Sequence, residues 1–526
     1  MQHTPRTLIL LWLALALCAC VAEPTPTESN GQSNNSNSTP LSDDSSTALL
    51  TDDGLIAPEA PTLKITATAG KLTFGWQHNI VDAVQSISLY QYNQRTKTEK
   101  MLDATINSTA QQYELNTPVH QLAWDSNSFR VELCTNDNCL SSARVAIDGL
   151  MVHAVSAISP SDEQIRTGFA DAIALNATGN ISVVTNSAQR SASVFFRVNA
   201  RWTEATRLFP QTPASNAPVT LKPVVSANGD TIAIASVTSN AAPIVTVFDR
   251  LGENWIESDT LRPEGQGSTT DTWNTQTLGL ALSANGDRMA FGLQRTTTGN
   301  VSFANTTANN RILVFDRNTV SWSPSATLMI PQTYLRSAAF TASANLDRIV
   351  ALSTHQGQLH AHTFDRNNNA WQPSALFAIN SIDSRYPGSV VSNGDATEIV
   401  VAGWESSSSA QRTPVAWRIK RDSTLNWSIA DSVRLPPTYD QSATIRLSAD
   451  RSLNSLAIGW QGVANADVAF YATANERWHH QFSAPAALYL DRALPMAQSL
   501  AISADNSTAM IGTTNTGAGG VVTVFQ

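Results

Sequence analysis

The segment LSANGDRMAFG, Leu282–Gly292, places a short polar turn between two apolar runs. A near-copy, VSANGDTIAIA, begins at Val225, and weaker copies continue to the end of the chain. Seven such turns occur in the 526 residues, near residues 175, 225, 282, 341, 391, 447 and 502. Asn-Gly and Asp supply the positive φ that a tight hairpin needs. The repeated turn is therefore predicted to be structural rather than catalytic.

Two further markers recur with the turn. Apolar strands end in a charged turn at TVFDR (246–250), LVFDR (313–317) and HTFDR (362–366). A tryptophan follows in six repeats, at Trp202, Trp255, Trp322, Trp371, Trp427 and Trp478. Each repeat thus reads as four short antiparallel strands. A period near 50 residues predicts the blades of a β-propeller.

The count of markers predicts how the propeller closes. There are seven turns but six tryptophan strands, and the chain stops at VVTVFQ (521–526), which matches a third strand. The segment GLMVHAVSAI (149–158) carries Val152 and Ile158 at the six-residue step seen in the outer strands. We therefore expect it to supply the missing strand, leaving no open edge. The predicted fold is all-β, with a seven-bladed β-propeller over residues 148–526 closed by an N-terminal strand.

The N-terminus has the features of a targeting segment. The polar start MQHTPRT is followed by LILLWLALALCA, an apolar run of 12 residues, whereas a membrane-spanning helix needs about 20. The sequence LCAC (17–20) resembles the lipobox of bacterial lipoproteins. That resemblance implies a signal peptide over 1–19, lipidation of Cys20, and, because Val21 follows, the outer membrane. An ordinary cleaved signal is the alternative.

The polar segment 20–58 and the region 59–147 differ in composition. Residues 20–58 are rich in Ser, Asn, Thr and Pro and predict a disordered tether. Strand-like alternation follows in KLTFGWQ (71–77), SISLYQYN (86–93), SFRVELCT (128–135) and ARVAI (143–147). With the entry APEAPTL, Trp76 and FRVELC, region 59–147 resembles a fibronectin type III β-sandwich. It departs from that family at Phe129, where Tyr is usual.

The cysteines beyond the signal region are Cys134 and Cys139. An exported protein meets an oxidising compartment, so we predict a structural disulfide between them. A metal-binding or redox role for these two cysteines would need further metal ligands or a CxxC spacing.

The repeats resemble integrin-alpha (FG-GAP) propellers of exported bacterial proteins. The calcium loops of that family are missing, since in the segment that begins with DRNNNA (365–370) Ala370 and Leu376 replace the Gly and Glu that such a loop needs. His355, His360 and His362 are interpreted as strand-surface residues, with a metal site as the alternative. We therefore predict no metal and no cofactor.

The charge pattern and the missing motifs limit the function classes. The net charge is −9 and only 14% of residues are charged, which argues against a nucleic-acid partner. GxSxG, HExxH and P-loop motifs are absent from the sequence in usable context. Trp404 and Trp460 follow two second strands, and Trp273 lies in a predicted loop at the same end. These three form a candidate binding face, with packing between blades as the alternative.

The sequence as a whole predicts a lipid-anchored envelope protein, periplasmic or surface-exposed, that binds or scaffolds protein or polysaccharide without catalysis. One alternative is a glycan-active propeller enzyme, a glycosidase or lyase, with close carboxylates in the central channel or at the long-loop end. The other is a structural subunit of an envelope assembly, which predicts a large apolar patch on the propeller side.

Overall fold

The computed structural model describes residues 59–80, 83–136, 138–160, 167–262, 271–273, 279–297, 309–319, 321–330, 339–355, 358–379, 382–405, 413–435, 445–461, 466–485, 496–514 and 520–526. These residues form an all-β fold with 37 strands and one short helix. No helix among them is long and apolar enough to cross a membrane. The predictions for residues 1–58, including Cys20, fall outside the described residues.

Residues 59–147 form a two-sheet unit. Its strands are Thr62–Thr68 (β1), Lys71–Gln77 (β2), Ser86–Asn93 (β3), Thr98–Ile106 (β4), Gln112–Leu115 (β5), Asn127–Cys134 (β6), Cys139–Ser141 (β7) and Val145–Ala146 (β8). One sheet has the order β1-β2-β5, and the other has β4-β3-β6-β7 with β8 also paired to β6. The rings of Phe74 and Phe129 meet between the sheets with centroids 5.0 Å apart. The side chains that were predicted to point inward from β2, β3 and β6, among them Phe74 and Phe129, are buried, so this prediction is confirmed.

The predicted disulfide is present. Cys134 ends β6, Cys139 begins β7, and the two residues are directly opposite each other in the β6–β7 ladder. The bond therefore closes the end of this hairpin.

Seven antiparallel sheets follow along the described chain and are numbered here 1 to 7. Sheet 1 has Phe169–Leu175 (β10), Ile181–Asn186 (β11), Ser191–Val198 (β12) and Arg201–Leu208 (β13); sheet 2 has Thr220–Val225 (β14), Thr231–Thr238 (β15), Ala241–Leu251 (β16) and Asn254–Leu261 (β17); sheet 3 has Asp271–Trp273 (β18), Leu280–Leu282 (β19), Arg288–Thr297 (β20), Asn309–Asn318 (β21) and Ser321–Met329 (β22). Sheet 4 has Phe340–Ala342 (β23), Arg348–His355 (β24), Gln358–Asn367 (β25) and Ala370–Ile379 (β26); sheet 5 has Ile382–Ser392 (β27), Glu398–Glu405 (β28), Pro414–Arg421 (β29) and Trp427–Arg434 (β30); sheet 6 has Ile445–Ala449 (β31), Ser455–Gln461 (β32), Ala466–Ala474 (β33) and Arg477–Pro485 (β34); sheet 7 has Met496–Ile502 (β35), Ala509–Thr514 (β36), Val521–Phe525 (β37) and Ser156–Ile158 (β9).

Sheet 7 takes its outer strand from the start of the repeat region. Strand β9 pairs with β37, with Ile158 opposite Val522, so the predicted closing strand is confirmed. The strand is shorter than expected, because Asp148–Leu150 form a 3-10 turn and Met151–Ala154 a helical turn (α1). Val152 lies in that helical turn and is 52% exposed. Its predicted place in the six-residue strand pattern was therefore wrong.

The seven repeated turns are joined by backbone hydrogen bonds, which we call the turn belt. Its bonds are Ala177 N to Ala227 O (3.2 Å), Ala227 N to Ala284 O (2.8 Å), Ala284 N to Ala344 O (2.7 Å), Ala344 N to Gly394 O (2.7 Å), Gly394 N to Arg451 O (2.8 Å), Arg451 N to Ala504 O (3.1 Å) and Asp505 N to Ala177 O (2.9 Å). The series returns to the residue at which it began. The belt therefore joins the seven turns into a ring, which is a β-propeller arrangement.

Each turn has the same internal geometry. Its first side chain accepts hydrogen bonds from the amides four or five residues later, as Ser283 Oγ does from Asp287 N (3.1 Å) and Arg288 N (2.9 Å). The fourth residue of each turn has φ between 51° and 81°: Gly179, Gly229, Gly286, Leu346, Ala396, Leu453 and Asn506. Three of these are Leu or Ala, which this backbone region disfavours. All three are fully buried, so their packing offsets the strain.

The recurring Asp-Arg pairs join neighbouring sheets through what we call the Asp–Arg ladder. Arg317 of sheet 3 donates to Asp249 of sheet 2 (Nη1 to Oδ1, 2.9 Å). Arg366 of sheet 4 lies 3.5 Å from Asp316 of sheet 3. Arg421 of sheet 5 lies 3.1 Å from Asp365 of sheet 4. The charged turn that repeats in the sequence is thus a contact between sheets.

The two-sheet unit and the ring share one apolar core. Val119 and Trp124 of the unit belong to the same buried cluster as Phe470 of sheet 6 and Phe525 of sheet 7. At its edge, His120 Nε2 lies 2.8 Å from Oδ1 of Asn506 in the turn of sheet 7. The unit therefore covers the turn end of the ring at sheets 6 and 7.

Candidate functional site

The predicted tryptophan face is wrong for Trp404. This side chain is 2% exposed and packs against Ile445, Leu447 and Tyr471 of the next sheet. The alternative prediction, packing between sheets, is therefore the correct one for Trp404, because the second strand of each sheet lies in the interior. Trp404 therefore contributes to the core and offers no surface to a ligand.

The other two predicted tryptophans are placed only by their backbones. Trp273 does not lie in a loop but in β18, where it pairs with Arg295 of β20. Trp460 lies in β32 and pairs with Ile445 of β31. Both side chains lie outside what the structure describes, so a role for them in binding stays a prediction.

The histidines of sheet 4 take the strand positions expected for them. His360 and His362 lie on β25, opposite Ser353 and Ala351 of β24. The His362 Nε2 atom lies 2.6 Å from Ser353 Oγ. A hydroxyl partner at this distance makes the contact a hydrogen bond within the sheet.

A polar cleft of about 770 Å³ opens at the turn end over sheets 4 to 6. The residues that line it come from five turns: Ser343, Asn345, Asp347, Arg348, Asp365, Arg366, Asn367, Asn393, Gly394, Asp395, Leu425, Arg451 and Ser452. It lies beside the two-sheet unit, which covers the same end at sheets 6 and 7. We call this feature the turn-end cleft.

The charges of the turn-end cleft are largely held by one another. Arg348 Nε lies 2.5 Å from Asp365 Oδ1, and Arg348 Nη1 donates to the Asp395 carbonyl at 3.0 Å. Burial alone would raise the pKa of Asp365, but hydrogen bonds from Ser374, Arg348 and Arg421 bring it below its usual value. The Asp365 carboxylate therefore stays ionised at neutral pH, whereas a general acid needs a raised pKa. The cleft is therefore suited to recognition of a polar ligand.

Arg451 is the cation of the cleft that stands apart from this network. Its backbone belongs to the turn belt, and its side chain is exposed at the rim. Among the described residues, no ion pair or hydrogen bond of its guanidinium is formed. It can therefore donate to an incoming carboxylate, phosphate or hydroxyl without breaking an existing contact.

A second group of charges lies on the innermost strands and is called here the axial cluster. It consists of Asp171 on β10, Lys222 on β14 and Arg446 on β31. Burial raises the pKa of the Asp171 carboxyl. Burial and the nearby Arg446 charge lower the pKa of Lys222 to about 8. Burial also lowers the pKa of Arg446, against the opposing effect of Asp171.

Sequence reasoning missed both the turn-end cleft and the axial cluster. The cleft was missed because short, uniform turns were taken as purely structural and the long loops as the binding end. The axial cluster did have a signal, since Lys222 in TLKPVV and Arg446 in TIRLSA are charges within otherwise apolar inner strands. A charge in such a strand indicates a partner or a ligand.

The ring of sheets defines the chain as an all-β protein of β-propeller architecture, with the same turn geometry repeated at one end. No protein-family model matches the chain. No curated protein matches it either.

The solved structures to which the chain is similar include three at low identity. Kuenenia stuttgartiensis hydrazine synthase is 14% identical, with 69% of this chain and 98% of that chain covered and a TM-score of 0.43. The Cps50 (Swd1) β-propeller domain of Myceliophteria thermophila is 9% identical over 70% and 98% of the two chains, with a TM-score of 0.42. The Dos1 propeller is 10% identical over 71% and 95%, with a TM-score of 0.41.

Proposed function

We propose that the protein is a lipid-anchored envelope module that binds protein or polysaccharide without catalysis. In this proposal residues 1–19 are a signal peptide, Cys20 carries the lipid in the outer membrane, and 20–58 are a tether. A fibronectin type III-like sandwich (59–147) and a seven-bladed propeller of the FG-GAP type (148–526) follow. The Cys134–Cys139 disulfide supports export, because disulfides persist in oxidising compartments.

The turn-end cleft is the observation that carries the binding proposal. Its walls come from turns of three sheets that the belt and the ladder hold rigidly. A rigid wall reduces the ordering cost of binding. Arg451 offers a donor and the 54% exposed Asp347 side chain offers an acceptor at the same cleft, which suits the hydroxyls of a glycan or the ends and side chains of a peptide.

Capture of defined glycans and of envelope fractions by the purified full-length protein tests this proposal. Arg451→Ala removes the exposed cation of the cleft, and we expect at least about tenfold weaker capture, as for loss of a charge-assisted hydrogen bond. Arg201→Ala, on the exposed outer strand of sheet 1, is the matched control. Equal capture by both variants would contradict binding at the cleft.

One observation favours the enzyme alternative. The raised pKa of Asp171 is a property of a general acid, and the residue lies on an inner strand. Its charged neighbour is Arg446 rather than a second carboxylate, which fits a glycosidase pair poorly. Shortening of a captured glycan by the wild-type protein but not by Asp171→Asn would support the enzyme and overturn the non-enzymatic proposal.

A further inference from the structure

The second residue of each repeated turn lies in the turn belt and is called here the belt position. It is alanine in sheets 1, 2, 3, 4 and 7, at Ala177, Ala227, Ala284, Ala344 and Ala504. The two exceptions are Gly394 in sheet 5 and Arg451 in sheet 6, which are neighbours in the belt. Both line the turn-end cleft. The repeat therefore departs from alanine at the cleft.

The two exceptions fit each other. A Cβ atom added to Gly394 would lie 2.6 Å from Nε of Arg451 and 2.8 Å from its Cγ, which is closer than real Cβ contacts. The backbone does not require this glycine, because its φ is outside the left-handed region. The missing side chain of Gly394 therefore makes room for the Arg451 side chain, which lies across it.

The Arg451 side chain does not use this position to reach a partner within the protein. Of the other two arginines that line the cleft, Arg348 is paired with Asp365. Arg366 lies 3.5 Å from Asp316. Within the described part of the chain, the Arg451 guanidinium has neither an ion pair nor a hydrogen bond. A fitted arginine without an internal partner is suited to an anion from outside.

The other side chains of the cleft favour a sugar as the carrier of that anion. Asn345 and Asn367 are exposed at the cleft, and their amide groups form no hydrogen bond to any described residue. An amide both donates and accepts, which matches a sugar hydroxyl. Among the described lining residues, Leu425 is the only apolar side chain, whereas peptide recognition commonly uses apolar pockets or a free strand edge.

We propose that the turn-end cleft binds the carboxylate of a uronate residue in an acidic polysaccharide. Arg451 donates to the carboxylate, while Asn345 and Asn367 contact hydroxyls of the same or the next sugar. The volume of about 770 Å³ is large enough for a short oligosaccharide. This inference rests on the proposed function, because it names the ligand class of the same cleft.

Calorimetric titration of the purified full-length protein with oligogalacturonate, oligomannuronate and a hyaluronan tetrasaccharide tests the inference. Each probe is compared with its carboxyl-reduced form, which keeps the hydroxyls but has no charge. We expect saturable binding of at least one uronate and at least about tenfold weaker binding of its reduced form.

The variant Arg451→Ala should weaken uronate binding by about the same factor and leave binding of the reduced form unchanged. It gives sheet 6 the alanine that five other turns have at this position, so the belt is retained. Arg201→Ala, which removes an exposed arginine from the outer strand of sheet 1, should leave uronate binding unchanged.

The variant Gly394→Ala separates the position of the guanidinium from its charge. Alanine suits the belt backbone, but its Cβ would displace the Arg451 side chain. Uronate binding should therefore fall several-fold in Gly394→Ala although no charge is lost. Adding Gly394→Ala to Arg451→Ala should cause no further loss.

Equal affinities for a uronate and its carboxyl-reduced form, or uronate binding that survives Arg451→Ala, would overturn the inference. Absence of saturable binding of all three probes up to about 10 mM would do the same. If capture of neutral glycans or envelope proteins still depends on Arg451, binding at the cleft stands and the uronate inference alone fails. If no capture depends on Arg451, both fail.

Discussion

The Asp–Arg ladder and the axial cluster use the same kinds of side chain in opposite ways. In the ladder each arginine meets a carboxylate of the preceding sheet, as Arg421 meets Asp365 at 3.1 Å. In the axial cluster, Asp171 acts on Arg446, and the Arg446 charge together with burial lowers the pKa of Lys222. Partly buried cations are tolerated when they are paired and are costly when they are not. The ladder therefore holds the ring together, whereas in the axial cluster burial disfavours the charges of Arg446 and Lys222.

The largest effect is expected from breaking the ladder. The Arg421 side chain is 1% exposed, and Arg421→Gln removes one of the two guanidinium partners of Asp365, the other being Arg348, so it should cost about 2–3 kcal/mol. Arg434→Gln is the control, because Arg434 pairs with Glu405 at the surface and is 62% exposed. Its loss should cost less than about 1 kcal/mol. Thermal unfolding of both variants measures this difference in stability. Equal melting temperatures would contradict a structural role of the ladder.

A smaller effect is expected at the contact between the turns of sheets 1 and 7. Gly179 has φ +57°, and an added Cβ would lie 2.8 Å from Thr508 Cβ. Gly179→Ala should therefore cost about 2 kcal/mol, from backbone strain and from displacement of the neighbouring turn. Gly252→Ala has the same kind of φ, +66°, with nothing within 4 Å, and should cost about 1 kcal/mol. Chemical denaturation measures both, and no difference between them would argue against close packing of the turns.

The smallest effect is a gain in stability from removing an axial cation. The folded-state pKa of Lys222 is about 8, below the usual 10.5, so the unfolded chain holds this proton more tightly. The free-energy cost of keeping Lys222 charged in the folded protein is complete below pH 8 and disappears as the pH rises toward 10.5. Lys222→Met should therefore be more stable than the wild type at pH 7 by about 1–2 kcal/mol. The difference should shrink between pH 8 and pH 10.5, and a Met variant that is less stable at pH 7 would contradict this electrostatic account.

The architecture was predictable because the turn and strand patterns are local. The turn beginning at Ser283 shows its hydrogen-bonding residue and its positive-φ glycine directly in the sequence. The closing strand followed from counting, although the helical turn at Val152 did not. The disulfide followed from the small number of cysteines.

The candidate sites were less predictable because they depend on which strands meet across the ring. Trp404 was predicted to be exposed because it comes at the end of a strand pattern. It is buried because residues of the next sheet, such as Ile445, pack in the same cluster. Lys222 and Arg446 are more than 200 residues apart in the sequence, and the ring brings sheet 6 within two positions of sheet 1 and three of sheet 2. The periodicity of the sequence shows on which strand a charged residue lies. Which other charged residue lies near it depends on the order of the sheets around the ring.

Melting temperatures of Arg421→Gln and Arg446→Gln, each compared with the wild type in one buffer at pH 7, test the central contrast most directly. The account predicts that Arg421→Gln melts clearly below the wild type, because Asp365 loses one of its two guanidinium partners. Arg446→Gln should melt near or above the wild type, because burial disfavours the charge that it removes. An equal loss of melting temperature in both variants would contradict the distinction between the paired cations of the ladder and the buried cations of the axial cluster.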